Sequence, residues 1–296
     1  MLRYDTHVHL NMFDVTAEQV TEKLDQAGMA GTSIFSIRPG EQSKTRQTAD
    51  YEERVSDLLR LTSGCPERLF PILWVHPDED GILSKVEDAV GRGVMGFKII
   101  CNNFYVYEDK SMRLLEKIAA LGKPVTFHSG ILWDGAVSSR FNKPLNWEHC
   151  LEIPGLKFAL AHCSWPWYDE TIALYGKFLN AYTSRPELSA EMFLDLTPGT
   201  PVPYRRDLLT KLMTCGYDVK HNMMFGTDNS AHNYNVSWCK QWIGIDDGIY
   251  ADLGVDSETL ENIYGNNLKR FLGLEKKTIV RQVMLPDGTF TEVITN

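Results

Sequence analysis

Apolar, β-rich runs bounded by turn residues recur along the chain. They start at Leu2 (LRYDTHVHL), Thr32 (TSIFSI), Leu69 (LFPILWV), Val94 (VMGFKII), Lys123 (KPVTFH), Lys157 (KFALAH), Ala190 (AEMFLDL) and His221 (HNMMFG). Each is nearly continuous in apolar character, as expected of a parallel strand covered on both faces. Successive starts lie 30, 37, 25, 29, 34, 33 and 31 residues apart. That step is the size of one strand-plus-helix unit.

The intervening segments carry helix signals. Thr16-x-x-Gln19 is a capping-box pattern opening a helix to about Ala27, with Gly28 as its stop. Met112, Leu115, Ile118 and Ala119 form one apolar face, ended by Gly122 and Pro124. Asp256 and Glu258 put negative charge in the first turn of a last helix that reaches about Leu272. Eight alternating units predict an α/β fold, a (β/α)8 barrel over residues 1–275. The stretches 129–146 and 229–254 exceed the usual connection length and follow strands, so both are expected over the C-terminal mouth. Residues 276–296 read as a separate extension: IVRQVML, the turn Pro286-Asp287-Gly288, then FTEVIT. This is a β-hairpin with an Asp-Gly turn, expected outside the barrel with no place in its core.

Composition narrows the function classes. The chain has 296 residues, 43% hydrophobic and 23% charged, which is ordinary for a globular protein. Acidic residues outnumber basic ones 39 to 30, and no run of Lys or Arg exceeds two. A nucleic-acid partner is therefore not expected. No apolar stretch approaches the roughly 18 residues of a membrane span. The densest, Val94 to Cys101, is short and broken by Lys98. The N-terminal residues lack a secretory apolar core, and six cysteines are scattered without a CxxC pair. These features point to reduced thiols and a cytoplasmic location.

The chemistry sits at the strand ends. Strand one ends with His7 and His9, strand four with Lys98, strand five with His128, strand six with His162, strand seven with Asp195 and strand eight with Asp228. Imidazole and carboxylate groups at the ends of apolar barrel strands are costly to desolvate without partners. His7 and His9 are two apart, so the strand period turns both rings to one side, into the barrel. A divalent metal would pair these groups at once. Three imidazoles and a carboxylate suit Zn²⁺ with one position left for water, although manganese or iron accept similar ligands.

Asp5-Thr6-His7-Val8-His9, Gly96-Phe97-Lys98, Phe127-His128-Ser129-Gly130, Ala161-His162-Cys163-Ser164-Trp165-Pro166-Trp167 and Phe225-Gly226-Thr227-Asp228 together resemble the amidohydrolase superfamily. The nearest branch is the amidohydrolase-related group that includes aminocarboxymuconate-semialdehyde decarboxylase. Ile263-Tyr264-Gly265-Asn266-Asn267 is similar to that branch's usual ending. The resemblance covers about residues 1–274. It implies a metal-dependent barrel enzyme, a hydrolase of C–N or C–O bonds or a non-oxidative decarboxylase. It implies His7, His9, His128 and Asp228 as metal ligands and His162 beside the activated water. Lys98 is then either a cation near the substrate in a one-metal site or, carboxylated, a bridge between two metals; one metal is favoured. Ser164 departs from the Gly more usual in the family's sixth-strand motif.

Catalytic roles are expected for Asp228, as proton carrier, for His162 and for Lys98. Arg38, Trp133, Trp165 and His232 are candidate substrate contacts, Arg38 because a guanidinium forks onto a carboxylate. His76 and Trp167 are weaker candidates, while His149 and His221 read as structural. Gly91-Arg92-Gly93-Val94-Met95-Gly96 matches GxGxxG, but it follows a helix and opens a strand, the wrong context for a dinucleotide site. The expected partner is a small, anionic substrate such as an amide, lactone or ester, and a homo-oligomer is compatible with the sequence. The competing readings are decarboxylation of an unsaturated or aromatic carboxylate at the same site, and a barrel that binds a ligand without catalysis.

Overall fold

The computed structural model describes residues 1–11, 14–42, 47–187 and 190–295. Asn296, the last residue of the expected extension, lies outside them. Among the described residues, nine parallel strands follow the eight predicted runs: β1 (Tyr4–His9), β2 (Gly31–Phe35), β3 (Leu69–Trp74), β4 (Gly96–Ile99), β5 (Val125–Phe127), β6 (Lys157–Leu160), β7 (Glu191–Asp195), β8 (Met223–Met224) and β9 (Asn229–Ser230). They pair in the order β8-β7-β6-β5-β4-β3-β2-β1-β9. Strands β8 and β9 are two pieces of one eighth strand. The first pairs with β7 and the second with β1, and Thr6 N–H donates to Phe225 O (2.9 Å) in the gap between them. The ring so closed is a (β/α)8 barrel, as the strand spacing predicts.

Helices α1 (Ala17–Ala27), α2 (Tyr51–Thr62), α3 (Ile82–Arg92), α4 (Asp109–Ala120), α5 (Tyr168–Ser184), α6 (Val202–Thr214) and α7 (Val236–Asp252) surround it. The capping box of α1 is present, with Thr16 and Gln19 exchanging hydrogen bonds and Gly28 closing the helix at φ 75°. Between β5 and β6 the chain forms 3₁₀ turns, Ser139–Asn142 and Pro144–Glu152, in place of an α-helix. Pro144 cannot donate, and the Asn142 and Asn146 side chains bond to nearby carbonyls, which competes with the regular ladder. The stretch 229–254 is less open than expected, because α7 occupies 17 of its residues. The Gly91–Gly96 motif is a helix stop and a strand start, with Gly93 at φ 115°.

Two apolar clusters form the core. The larger lies between strands and helices. The smaller contains Phe35, Phe70, Ile72, Ala159, Phe193 and Met224, joined by Leu268, Phe271 and Leu272 of the terminal helix. That helix runs as α8 (Ser257–Glu261), a π turn (Asn262–Asn266) and α9 (Asn267–Phe271). Asn267 donates to Lys220 O and Met223 O, seating it at the N-terminal end of β8. The mouth at the opposite end of the strands is left open for chemistry.

The C-terminal hairpin pairs β10 (Ile279–Met284) with β11 (Phe290–Thr295). It packs outside the ring against α5, but it takes part in the core more than the sequence implies. Ile279 and Val283 are buried, and Arg281 is fully so, bonding Asn222 Oδ1 (2.6 Å) and Glu191. Among the described residues no helix is long and apolar enough to cross a membrane.

Candidate metal centre

Strand β1 brings three acid–base residues to one side of the ring by its period of two: Asp5, His7 and His9. The pairing of β1 with β2 shifts register between Asp5 and Val8, the stretch that contains His7. His7 Nε2 and His9 Nε2 are 3.2 Å apart, and Asp228 Oδ1 lies 3.2 Å from His9 Nε2 and 3.7 Å from His7 Nε2. One ligand atom from each of the three lies within 4.8 Å of the other two. Asp228 stands at φ 58° in the break between β8 and β9, which swings its carboxylate across β1.

These residues fit a metal. His7 Nδ1 meets Asp195 Oδ2 at 2.7 Å, so its Nε2 faces the cluster with a lone pair. Burial holds the His7 and His9 pKa values below the ordinary imidazole range, well below for His7, which favours neutral rings. Burial alone would raise the Asp228 carboxyl, but the His9 hydrogen bond and the neighbouring imidazoles hold it below its usual range. Two imidazole nitrogens and a carboxylate gathered within reach of one point are the donor types a divalent ion takes.

Lys98 Nζ sits 3.2 Å from His7 Nε2 and 4.8 Å above the Phe35 ring. Burial, against the opposing pull of Asp195 and Asp228, brings its pKa down to about 8. His128 and His162 complete the ring of bases, 5.0 Å apart between centroids. His128 Nε2 faces Ile131 O at 3.2 Å, and since a carbonyl only accepts, that nitrogen carries the hydrogen. His128 lines the cavity but falls outside the three-residue cluster. His162, Cys163 and Ser164 all have positive φ, forming a tight corner after β6.

These groups lie at the floor of a cavity of about 260 Å³, walled by Ile100, Ile131, Leu132, Trp133, Trp165 and Pro198. Trp133 is 72% exposed at the rim. Arg38 lies in an adjoining hollow with Leu10, Asn11 and Gln47, its guanidinium 5.3 Å over Trp74, whose ring is 5.9 Å from that of His9. His232 stands outside the lining, 3.8 Å from Asp14. Trp167 also lies outside it, under Lys143. His76 is buried between Asp78 N (3.2 Å) and Asn102 Oδ1 (3.3 Å), away from the lining. Asp195 stands among the strand-end groups legible in the sequence, whereas Asp5, Thr197 and Gly199, which also touch the histidines of the site, were given no role. The parity of Asp5 with His7 and His9 was a usable signal; nothing in the sequence marks Thr197.

No curated protein matches the chain by sequence. Solved structures share its fold at low identity. A probable 2-pyrone-4,6-dicarboxylic acid hydrolase from Acinetobacter baumannii with citric acid bound has a TM-score of 0.58 at 13% identity, covering 92% of this chain and 100% of its own. A 2,6-dihydroxybenzoate decarboxylase complexed with 2,6-dihydroxybenzoate gives 0.62 at 11% identity, covering 93% and 99%. A dihydroorotase from Campylobacter jejuni gives 0.57 at 12%, covering 96% and 87%. Likeness at this identity concerns the barrel and not the reaction. The amidohydrolase family model matches residues 4–274, nearly the whole barrel, and the chain belongs to that family.

Proposed function

We propose that the protein is a metal-dependent hydrolase acting on a C–N or C–O bond of a small anionic amide, lactone or ester. The observation that carries this reading is the convergence of His7 Nε2, His9 Nε2 and Asp228 at the floor of a cavity that also holds a buried lysine. Zinc suits two imidazoles and a carboxylate. A divalent ion in that position supplies a water ionisable near neutral pH and an electrophilic contact for a carbonyl oxygen.

The protein's own groups do the rest. Lys98 holds the anionic end of the substrate, its ammonium being the one lysine or arginine cation among the described residues of the lining. Asp228 takes a proton from the attacking water and delivers it to the leaving group. His162 Nε2 accepts a hydrogen bond from that water, because Thr197 O, 3.3 Å from Nδ1, requires Nδ1 to be the donor. Trp133 and Trp165 narrow the entrance and exclude bulk water.

Metal analysis of the purified chain should find about one divalent ion per chain. The His7→Ala/His9→Ala double variant should lose it, and His128→Ala should retain more of it. Asp228→Asn should lower turnover by about 10²–10⁴-fold. Turnover in ¹⁸O-labelled water should place the label in an acid product. Early release of unlabelled CO₂, with solvent hydrogen on the vacated carbon, would defeat hydrolysis and establish decarboxylation at the same residues.

A further inference from the structure

We propose that Asp195 is the positioning residue of this site, a single carboxylate that sets the ring orientation of His7 directly and of His162 through Thr197. Asp195 is fully buried at the end of β7. Its two oxygens divide the work. Oδ2 accepts from His7 Nδ1 at 2.7 Å, while Oδ1 accepts the Thr197 N–H at 2.8 Å and the Thr197 hydroxyl. Thr197, pinned by both its donors, turns its carbonyl to His162 Nδ1 at 3.3 Å. Carboxylate and carbonyl oxygens only accept, so in both rings Nδ1 carries the hydrogen and Nε2 keeps its lone pair. His128 is the internal contrast, with Nε2 donating to Ile131 O.

The surroundings are cleared for this arrangement. A Cβ on Gly226 would lie 2.3 Å from Thr197 Oγ1 and 3.1 Å from His7 Cβ. A Cβ on Gly199 would lie 2.8 Å from His162 Cβ. Both glycines have ordinary φ, so close approach and not backbone freedom is what they provide. Lys98 Nζ at His7 Nε2 fits the same tautomer, since an ammonium can only donate. An acidic partner behind a ligating imidazole fixes its tautomer and raises its basicity. Asp195 reaches two of the imidazoles at once, which ties their geometry together.

The consequence for metal affinity rests on the metal reading of His7, His9 and Asp228; the tautomers do not. The test uses the full-length, metal-free protein labelled with ¹⁵N-histidine, with two-bond correlations reporting which nitrogen is protonated. His7 and His162 should be Nδ1–H and His128 Nε2–H. In Asp195→Asn, zinc affinity by chelator competition should weaken by about 10–100-fold, whereas Thr197→Val, which keeps the carboxylate and the backbone donor, should hold close to wild-type affinity. Nε2–H at His7 in the metal-free protein overturns the proposal, as does an unchanged zinc affinity in a folded Asp195→Asn. If Asp195→Asn does not fold, the wild-type tautomers decide. Correct tautomers in a chain that binds no zinc would refute the metal reading and leave the positioning role intact.

Discussion

Asp5 Oδ1 accepts the backbone N–H of Thr227 at 2.9 Å, which ties β1 to the eighth strand one residue before Asp228. The same oxygen accepts His7 N–H at 3.0 Å, and Oδ2 accepts the Tyr234 hydroxyl at 2.8 Å and the Thr227 hydroxyl. The two strands that carry the metal-ligand candidates are therefore held by one buried carboxylate. Burial outweighs these donors and raises its pKa to about 6.

Replacing Asp5 by Ala strands up to four buried donors. An unsatisfied buried donor costs about 1–3 kcal/mol, and partial relaxation brings the expected total to about 3–5 kcal/mol. Tyr234→Phe removes its bond to Asp5 and the contact with the Cys239 thiol but leaves Asp5 Oδ2 the Thr227 hydroxyl, and should cost about 1 kcal/mol. Urea unfolding of the metal-free proteins measures both. An Asp5→Ala chain as stable as wild type would show that the network carries no load.

Ser164 has φ 58°, a region in which a Cβ is strained, and its hydroxyl bonds that of Ser129. Glycine takes this φ without such strain. Ser164→Gly removes about 1–2 kcal/mol of strain and loses a hydrogen bond worth about 1 kcal/mol. Its net effect on stability should be small. Ser164→Ala loses the same bond and keeps the strain, so it should be the less stable of the two. Thermal unfolding of the pair checks the order, and the reverse order would contradict the strain argument.

The hairpin should contribute stability and not merely decorate the barrel. Glu191 is bonded by Arg270 at 2.7 Å and by Arg281, and all three are buried. Deleting residues 277–296 leaves Arg270 to neutralise Glu191, so the barrel should still fold and load metal. It should do so with a loss of about 3–5 kcal/mol, the scale for breaking a buried charge network. Arg281→Ala alone should show much of that loss. Unfolding midpoints equal to wild type in both would mean that the hairpin is an appendage.

His221 makes stability depend on acid. Burial, followed by the charges of Arg281, Lys220, Arg270 and Lys277, pushes its pKa down to about 3. An unfolded histidine titrates near ~6.5. Between these values the unfolded chain binds the extra proton, so stability falls as pH drops from about 6.5 towards about 3, and His221 has no effect on the pH dependence above that window. His221→Gln should flatten the slope in urea midpoints measured across the window. A slope unchanged in that variant would assign the acid sensitivity elsewhere.

The sequence by itself determined the repeat, the barrel and the strand-end chemistry. Eight apolar runs at near-constant spacing leave few ways to bury a parallel sheet, and the period of two forces His7 and His9 to the same side. The capping box of α1 and the Asp-Gly hairpin were legible because each rests on neighbours in the chain. The tertiary structure decided what depends on distant segments meeting. It split the eighth strand at Phe225–Asp228, turned 229–254 largely into α7, and set His128 outside the three-residue cluster. It left Arg38 and His232 off the cavity lining and placed Asp195 behind His7, 188 positions away in sequence. Periodicity fixes which side of a strand a residue faces; which oxygen reaches which nitrogen depends on the stagger between strands, and that is set only when the ring closes.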